Sequence, residues 1–250
     1  MATVILVRHA RTTANASGVL AGRAPGVLLD EVGRDQAQQM AARLTEVPLV
    51  ALVSSPLERC RETAAQIAGA QEVRPRIELD EGLTECDYGD WQGGTLKELA
   101  EQPLWRTVQQ QPSAARFPGG ESLREMAQRA IDAVRERDKR EEAEHGPGAV
   151  WAAVSHGDVI KAILADALGS HLDHFQRIVV DPASVSIVRY TDGRPFVLTV
   201  NSPSGDLSWL GTRPPEVSPE DSVVGGGAGP DHAPARPAAP GASGPSQPGS

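Results

Sequence analysis

An α/β domain with a mainly parallel central sheet, flanked by helices on both faces, is the fold class that the sequence predicts. Three observations carry it. Uninterrupted apolar runs at residues 4–7, 49–53 and 149–154 have the length and continuity of strands buried on both faces. Segments with helical apolar spacing alternate with these runs. The composition then breaks near residue 205: positions 211–250 hold nine prolines and eight glycines and almost no large apolar side chains. Such a stretch cannot bury enough surface to offset its ordering entropy. The expected organisation is one domain over residues 1–205 and a disordered tail over 206–250, without internal repeats.

Taken in order, Asp30 has the character of an N-cap for a helix whose apolar positions are Ala37, Met40, Ala41 and Leu44. Pro56 suits the first turn of a helix that follows the second run. Residues 95–108 read as one further helix. A longer one follows Gly120, with Leu123, Met126, Ala127, Ala130, Ile131 and Val134 on one stripe, and residues 158–168 make another. Residues 184–190 and 195–200 read as strands joined by a hairpin-type turn at Asp192-Gly193, adding an antiparallel strand to the sheet.

The formal net charge of −9 argues against a general affinity for nucleic acid or anionic membranes. Lysine occurs only at 97, 139 and 161, against 21 arginines. That skew reflects the bias of a GC-rich genome, so arginine abundance alone says nothing of phosphate and position must carry that argument. Cys60 and Cys86 form no CxxC and read as buried thiols of a reducing compartment. The apolar stretch at the N-terminus is short and meets Arg8 at once, unlike a signal peptide, and no window approaches a membrane span. These features predict a cytoplasmic protein.

Ligands of open α/β sheets bind beyond the carboxyl ends of the strands. The first run is followed by Arg8-His9-Ala10-Arg11-Thr12, the second by Ser54-Ser55-Pro56-Leu57-Glu58-Arg59, and the third by Ser155-His156-Gly157-Asp158. Three strands would deliver two histidines and two arginines to one rim. Arg59 falls near a helix N-terminus, where backbone N–H groups, the helix dipole and a guanidinium fork act together on an anion. Arg61 reads as part of a solvated helix face. A phosphate dianion is the ligand that this convergence suits.

These residues resemble the histidine phosphatase superfamily, which includes the cofactor-dependent phosphoglycerate mutases and many acid phosphatases. Arg8-His9-Ala10-Arg11-Thr12-Thr13-Ala14-Asn15 resembles its RHGxTxxN opening, and Ser54 to Thr63 is similar to its SSPLxRxxxT segment. Leu83-Thr84-Glu85 through Gly93 looks like its LxE…G.W.G segment. Pro118-Gly119-Gly120-Glu121-Ser122 and Ser155-His156-Gly157 match two later motifs. The resemblance spans roughly residues 3–200, is closest to an actinobacterial branch of phosphomutase- and phosphatase-type proteins, and implies a phosphoglycerate mutase-like fold. One departure is that Ala10 stands where the family has glycine; alanine is tolerable there if φ is negative, but its methyl could crowd the phosphate. Arg11 either adds positive potential at the mouth or points into solvent.

The resemblance implies that neutral His9 attacks phosphorus and forms a phosphohistidine. Arg8, Arg59 and His156 would surround the nonbridging oxygens, and Glu85 would protonate the leaving oxygen and then activate water. Asn15, Thr12 and Gly157 are candidate phosphate ligands. The mechanism implies no metal and no cofactor. His171 and His174, at i and i+3, lack the further ligands of a metal site. Glu121 reads as a helix-start residue, and Trp91, Trp105 and Phe117 as core, with a place lining a substrate cleft as the other reading. The expected partner is a small phosphorylated metabolite, such as a sugar or inositol phosphate. Three readings stand: hydrolysis, bisphosphate-primed phosphoryl transfer, and noncatalytic binding of a phospholigand. Family mutases of the phosphoglycerate type carry an insert with paired arginines, whereas residues 102–107 contain Arg106 alone, which favours hydrolysis. A binding module has no need of Glu85.

Overall fold

The computed structural model describes residues 2–212; the expected tail from 213 onward lies outside them, as does His232. The elements in chain order are β1 (Thr3–Arg8), α1 (Thr13–Ser17), α2 (Glu31–Arg43), β2 (Leu49–Ser54), α3 (Glu58–Ala70), β3 (Ile77–Leu79) and α4 (Leu96–Leu99). They continue as α5 (Pro103–Gln110), α6 (Leu123–His145), β4 (Val150–Ser155), α7 (Gly157–Ala167), β5 (Val185–Arg189), β6 (Phe196–Ser202) and α8 (Trp209–Thr212).

The strands form one six-stranded sheet in the order β3-β2-β4-β1-β5-β6. β1, β2, β3 and β4 pair parallel, while β5 runs antiparallel to both of its neighbours. Alternation along each strand divides the core between the two faces. Val4 and Leu6 of β1, with Trp151 and Ala153 of β4, pack with α6 and α7. Ile5 and Val7, with Val150, Ala152 and Val154, pack with α2 and α3 on the other face. The runs at 4–7 and 149–154 are thus buried throughout, as their continuity predicts, while that at 49–53 is buried from Ala51 onward and half-buried at Leu49 and Val50.

Asp30 caps α2 through Gly33 N–H, as expected. Ser122 and Glu125 form a capping box that starts α6, so Glu121 lies outside that helix and does not begin it. Residues 95–108 do not make one helix. Thr95 and Glu98 cap the short α4, and a new helix begins at Pro103, whose ring cannot continue the preceding hydrogen-bond ladder. Pro56 precedes the N-cap Leu57 and so lies just outside α3. The strands expected at 184–190 and 195–200 are β5 and β6, but residues 190–195 join them, a longer connection than a two-residue turn. The edge strand β3 is too short and too exposed to leave a hydrophobic pattern. Packing also runs past the compositional break at 205: Leu207 and Leu210 are buried in the core on the α2 and α3 face.

β1 and β4 lie side by side, yet the chain leaves β1 for α2 on one face and β4 for α7 on the other. Such a switch point opens a crevice at the carboxyl edge of a parallel sheet. A chain ended after residue 205 loses Leu207 and Leu210 from the core. It should be destabilised by roughly 3–6 kcal/mol relative to one ended after 212, measured by urea unfolding. Equal midpoints would show that these two leucines contribute nothing.

Candidate active site

The register of β1 on β4 pairs Arg8 with Ser155, and the His9 N–H donates to the Ser155 carbonyl at 2.9 Å. His9 and His156 therefore leave adjacent strand ends together, their ring centroids 5.2 Å apart. Arg59, in the first turn of α3, reaches both rings. Its Nε donates to His9 Nε2 at 3.3 Å and its Nη2 contacts His156 Nδ1 at 3.1 Å. Another hydrogen bond runs from Nη2 to the Gly22 carbonyl. The His9 Nδ1–H donates to the Ala10 carbonyl at 2.8 Å, which fixes the tautomer and leaves the Nε2 lone pair to accept from Arg59. Burial, then Arg59 and Arg8, hold the His9 pKa well below the ordinary imidazole value, so the ring is neutral at pH 7. His156 is depressed by the same causes in the same order, burial and then Arg59. Because its Nδ1 accepts from Arg59, its Nε2–H is free to donate to Ser55 Oγ at 2.8 Å.

Arg8 donates through Nη1 to the Val180 carbonyl at 2.6 Å. Arg8 Nε and Arg59 Nη1 are buried and make no hydrogen bond among the described residues. Two buried and unsatisfied guanidinium nitrogens on residues that line one cleft are costly unless an anion accepts from them. Of the helices that follow the carboxyl ends of β1, β2 and β4, α1 has a side-chain cap, whereas α3 and α7 have none. Their first N–H groups add positive potential here.

Glu85 arrives from a loop, and hydrogen bonds to its backbone place it. Ser155 Oγ–H donates to the Leu83 carbonyl at 2.7 Å, tying the loop to the end of β4. The Glu85 carbonyl accepts from Arg23 Nε at 2.8 Å and from Arg129 Nη2 at 3.0 Å. Glu121 bridges those two arginines and also accepts from the Asp87 N–H. Burial would raise the Glu121 carboxyl, but the Arg129 hydrogen bond, the Asp87 N–H and the arginine charges outweigh it and hold it below the usual range. Gly89, at φ +50°, lets the same loop press against residues 118–120, where a Cβ would meet the Pro118 carbonyl at 2.1 Å. The Glu85 carboxylate lies 4.0 Å from His156 Nδ1 and accepts from the Cys86 N–H. Burial first, and then the charge of Asp158, push its pKa up to about 7.

His9, Arg8, Arg59 and Glu85 line one cleft of about 290 Å³, with Thr12, Asn15 and Gly157. His156 is fully buried behind Arg59 and does not line it. Thr12 and Asn15 form the capping box of α1, with Asn15 Oδ1 occupied by the Thr12 N–H and hydroxyl, so only the Asn15 amide donors are left for a ligand. The Ala10 methyl is buried in the core away from the cleft, its φ is not positive, and it does not crowd the site. Arg11 pairs with Asp30 at 2.8 Å and does not line the cleft. Trp91 and Phe117 are core residues as expected, yet with Trp105 they also form a cleft wall. Both thiols are buried, and burial pushes Cys60 up to about 12 and raises Cys86 strongly. His171 caps the turn at Asp173.

Ser55, Arg23, Arg129 and the bridging role of Glu121 escape sequence reasoning. Arg23 and Glu121 are 98 positions apart, and Arg129 looks like any polar residue of α6. Arg129→Ala removes two donors from the loop carrying Glu85 without touching the cleft. It should lower kcat/KM for an alkyl phosphate about tenfold or more, and much less for p-nitrophenyl phosphate, whose leaving group needs no acid. Equal losses on both substrates would refute a role through Glu85.

Residues 4–203 match the profile of the histidine phosphatase superfamily (branch 1). Phosphoserine phosphatase 1 of Hydrogenobacter thermophilus is 32% identical over 206 residues, covering 80% of this chain and 92% of that protein. A bifunctional protein of Mycobacterium tuberculosis is 34% identical over 203 residues, and the match covers 79% of this chain but 53% of the mycobacterial protein. Of solved structures, YhfR of Bacillus stearothermophilus is similar at a TM-score of 0.73 and 30% identity, covering 81% of this chain and 98% of that one. The sheet order, the two strand-end histidines and the match across nearly the whole described region lead to one conclusion: the chain belongs to the histidine phosphatase superfamily.

Proposed function

We propose that the protein is a metal-independent phosphomonoesterase that acts on a small phosphorylated metabolite through a phosphohistidine at His9. The observation that carries this reading is the neutral His9 ring, with Nε2 accepting from Arg59, the charge of Arg8 acting on it, and a carboxyl titrating near 7 in the same cleft. The Nε2 lone pair forms the N–P bond as the P–O bond to the leaving alcohol breaks, and the Glu85 proton goes to that oxygen. In the second step the Glu85 carboxylate takes a proton from water. The water oxygen bonds to phosphorus, the P–N bond breaks, and phosphate leaves a neutral His9. Arg8 and Arg59 supply cationic donors to the three peripheral oxygens, the work a metal does elsewhere. Hydrolysis is favoured over mutase transfer because Arg106 is exposed, bonded to Gln110 and absent from the cleft. That segment thus offers no cation for a substrate carboxylate.

A panel of phosphomonoesters assayed with chelator tests this reading. His9→Ala should abolish turnover and phosphoenzyme formation, and Arg59→Ala should cost about 10²–10³ in kcat. Activity that requires added metal, or survives in His9→Ala, would overturn the mechanism. Isomerised product dependent on a bisphosphate primer, with little free phosphate, would establish the mutase instead.

Glu85 must enter the first step protonated. For an alkyl phosphate, kcat/KM should therefore hold below pH 7 and fall about tenfold per unit above it. Glu85→Gln should remove that limb, and a limb left intact in the variant would assign the acid to another group.

A further inference from the structure

The cleft extends past the phosphate-binding residues, and two parts of its lining differ in character. One wall is aromatic and aliphatic: Trp105, half-buried, stacks on Trp91 at 6.1 Å between centroids and 25° between planes, beside Leu20 and Val108. A second, polar part of the lining comes from α7 and the turn that follows it, through Asp158, Lys161 and Gln176. Among the described residues, Lys161 is the one cation lining the cleft besides Arg8 and Arg59, and it is already engaged. Its Nζ lies 3.4 Å from Asp158 Oδ1, 3.1 Å from Gln176 Oε1 and 5.8 Å from the Phe175 ring centroid. Asp158 is held in turn by the Tyr88 hydroxyl at 2.8 Å. The pair is therefore neutral as a unit, with donors and acceptors but no unpaired charge for a carboxylate or a second phosphate.

We infer that this cleft selects phosphomonoesters whose leaving alcohol is uncharged and hydroxylated and has one flat aromatic face, the class to which nucleoside monophosphates belong. The aromatic face lies on the Trp105 wall, where ring stacking adds to buried area. The hydroxyls exchange hydrogen bonds with Asp158, Lys161 and Gln176, a polar set that can both donate and accept. A leaving group with its own anion meets Asp158, which repels it and competes for Lys161. The inference rests on the phosphatase reading above and names the substrate class of that site.

The test is a comparison of kcat/KM for adenosine 5′-monophosphate, glycerol 3-phosphate, 3-phosphoglycerate and phosphoserine on the full chain. The nucleotide should exceed glycerol 3-phosphate about tenfold or more, as one stacked ring is worth. Both should exceed 3-phosphoglycerate and phosphoserine, whose leaving alcohols each carry a carboxylate. Trp105→Ala should collapse the first ratio. Asp158→Asn should raise 3-phosphoglycerate relative to glycerol 3-phosphate about fivefold. That ratio cancels any change in Glu85 acidity, which acts on both substrates alike. Thermal unfolding of each variant checks that it folds, and the wild-type ranking stands without either. Phosphoserine or 3-phosphoglycerate turned over as fast as the nucleotide would overturn the inference while leaving the phosphatase reading intact. Hydrolysis of none of the four, nor of p-nitrophenyl phosphate, would overturn both.

Discussion

The parallel ladder between β1 and β4 is the constraint on which the site depends. It pairs Arg8 with Ser155 and so brings out two histidines, distant in sequence, at neighbouring strand ends. A one-residue slip in that register would turn every side chain of β1 to the other face of the sheet. Continuous apolar burial on both faces makes such a slip costly, since Ile5 and Val7 belong to one core and Val4 and Leu6 to the other. The precision of the chemistry is thus inherited from the packing of the central strands.

The electrostatics follow from the same burial. A histidine taken out of water beside two guanidinium groups loses its proton, and a carboxyl taken out of water near Asp158 keeps one. One environment therefore leaves an imidazole neutral and a carboxyl titrating near neutrality in one cleft, opposing shifts of the kind that the proposed division of labour between nucleophile and acid needs. Arg59 holds both histidine rings through hydrogen bonds and keeps one buried nitrogen unsatisfied, so orienting the rings and the proposed binding of an anion fall to the same side chain.

The placement of Glu85 depends on longer-range support. The loop from β3 has no regular partner strand at this point. It is tied down by Ser155 and by Arg23 and Arg129, the two arginines that share Glu121. Held by its backbone, the carboxyl is left free to gain and lose a proton. Glu121, a candidate only for helix initiation in the sequence, is the carboxylate that stabilises this arrangement from outside the cleft.

Much of this was legible in the order of residues. Runs buried on both faces announce a parallel sheet because only strands covered on each side can be apolar at every position, and chemistry placed after such runs marks the carboxyl edge. Caps such as Asp30 are local and were readable for the same reason: a side chain bonds a backbone group three residues away. Three kinds of information were not local. The break of residues 95–108 into two helices was signalled by Pro103, yet the apolar spacing across it read as continuous. The strand order, the burial of Leu207 and Leu210, and the two parts of the cleft lining depend on which elements meet. The neutral partnership of Lys161 with Asp158 is only suggested by their i, i+3 spacing; its place in the cleft comes from packing. Most of the elements and the candidate site residues are legible along the chain, because periodicity and strand-end position are written along one dimension. Tertiary structure decided their tautomers, their acidity and their neighbours, because burial and charge proximity exist only once separate segments share a volume.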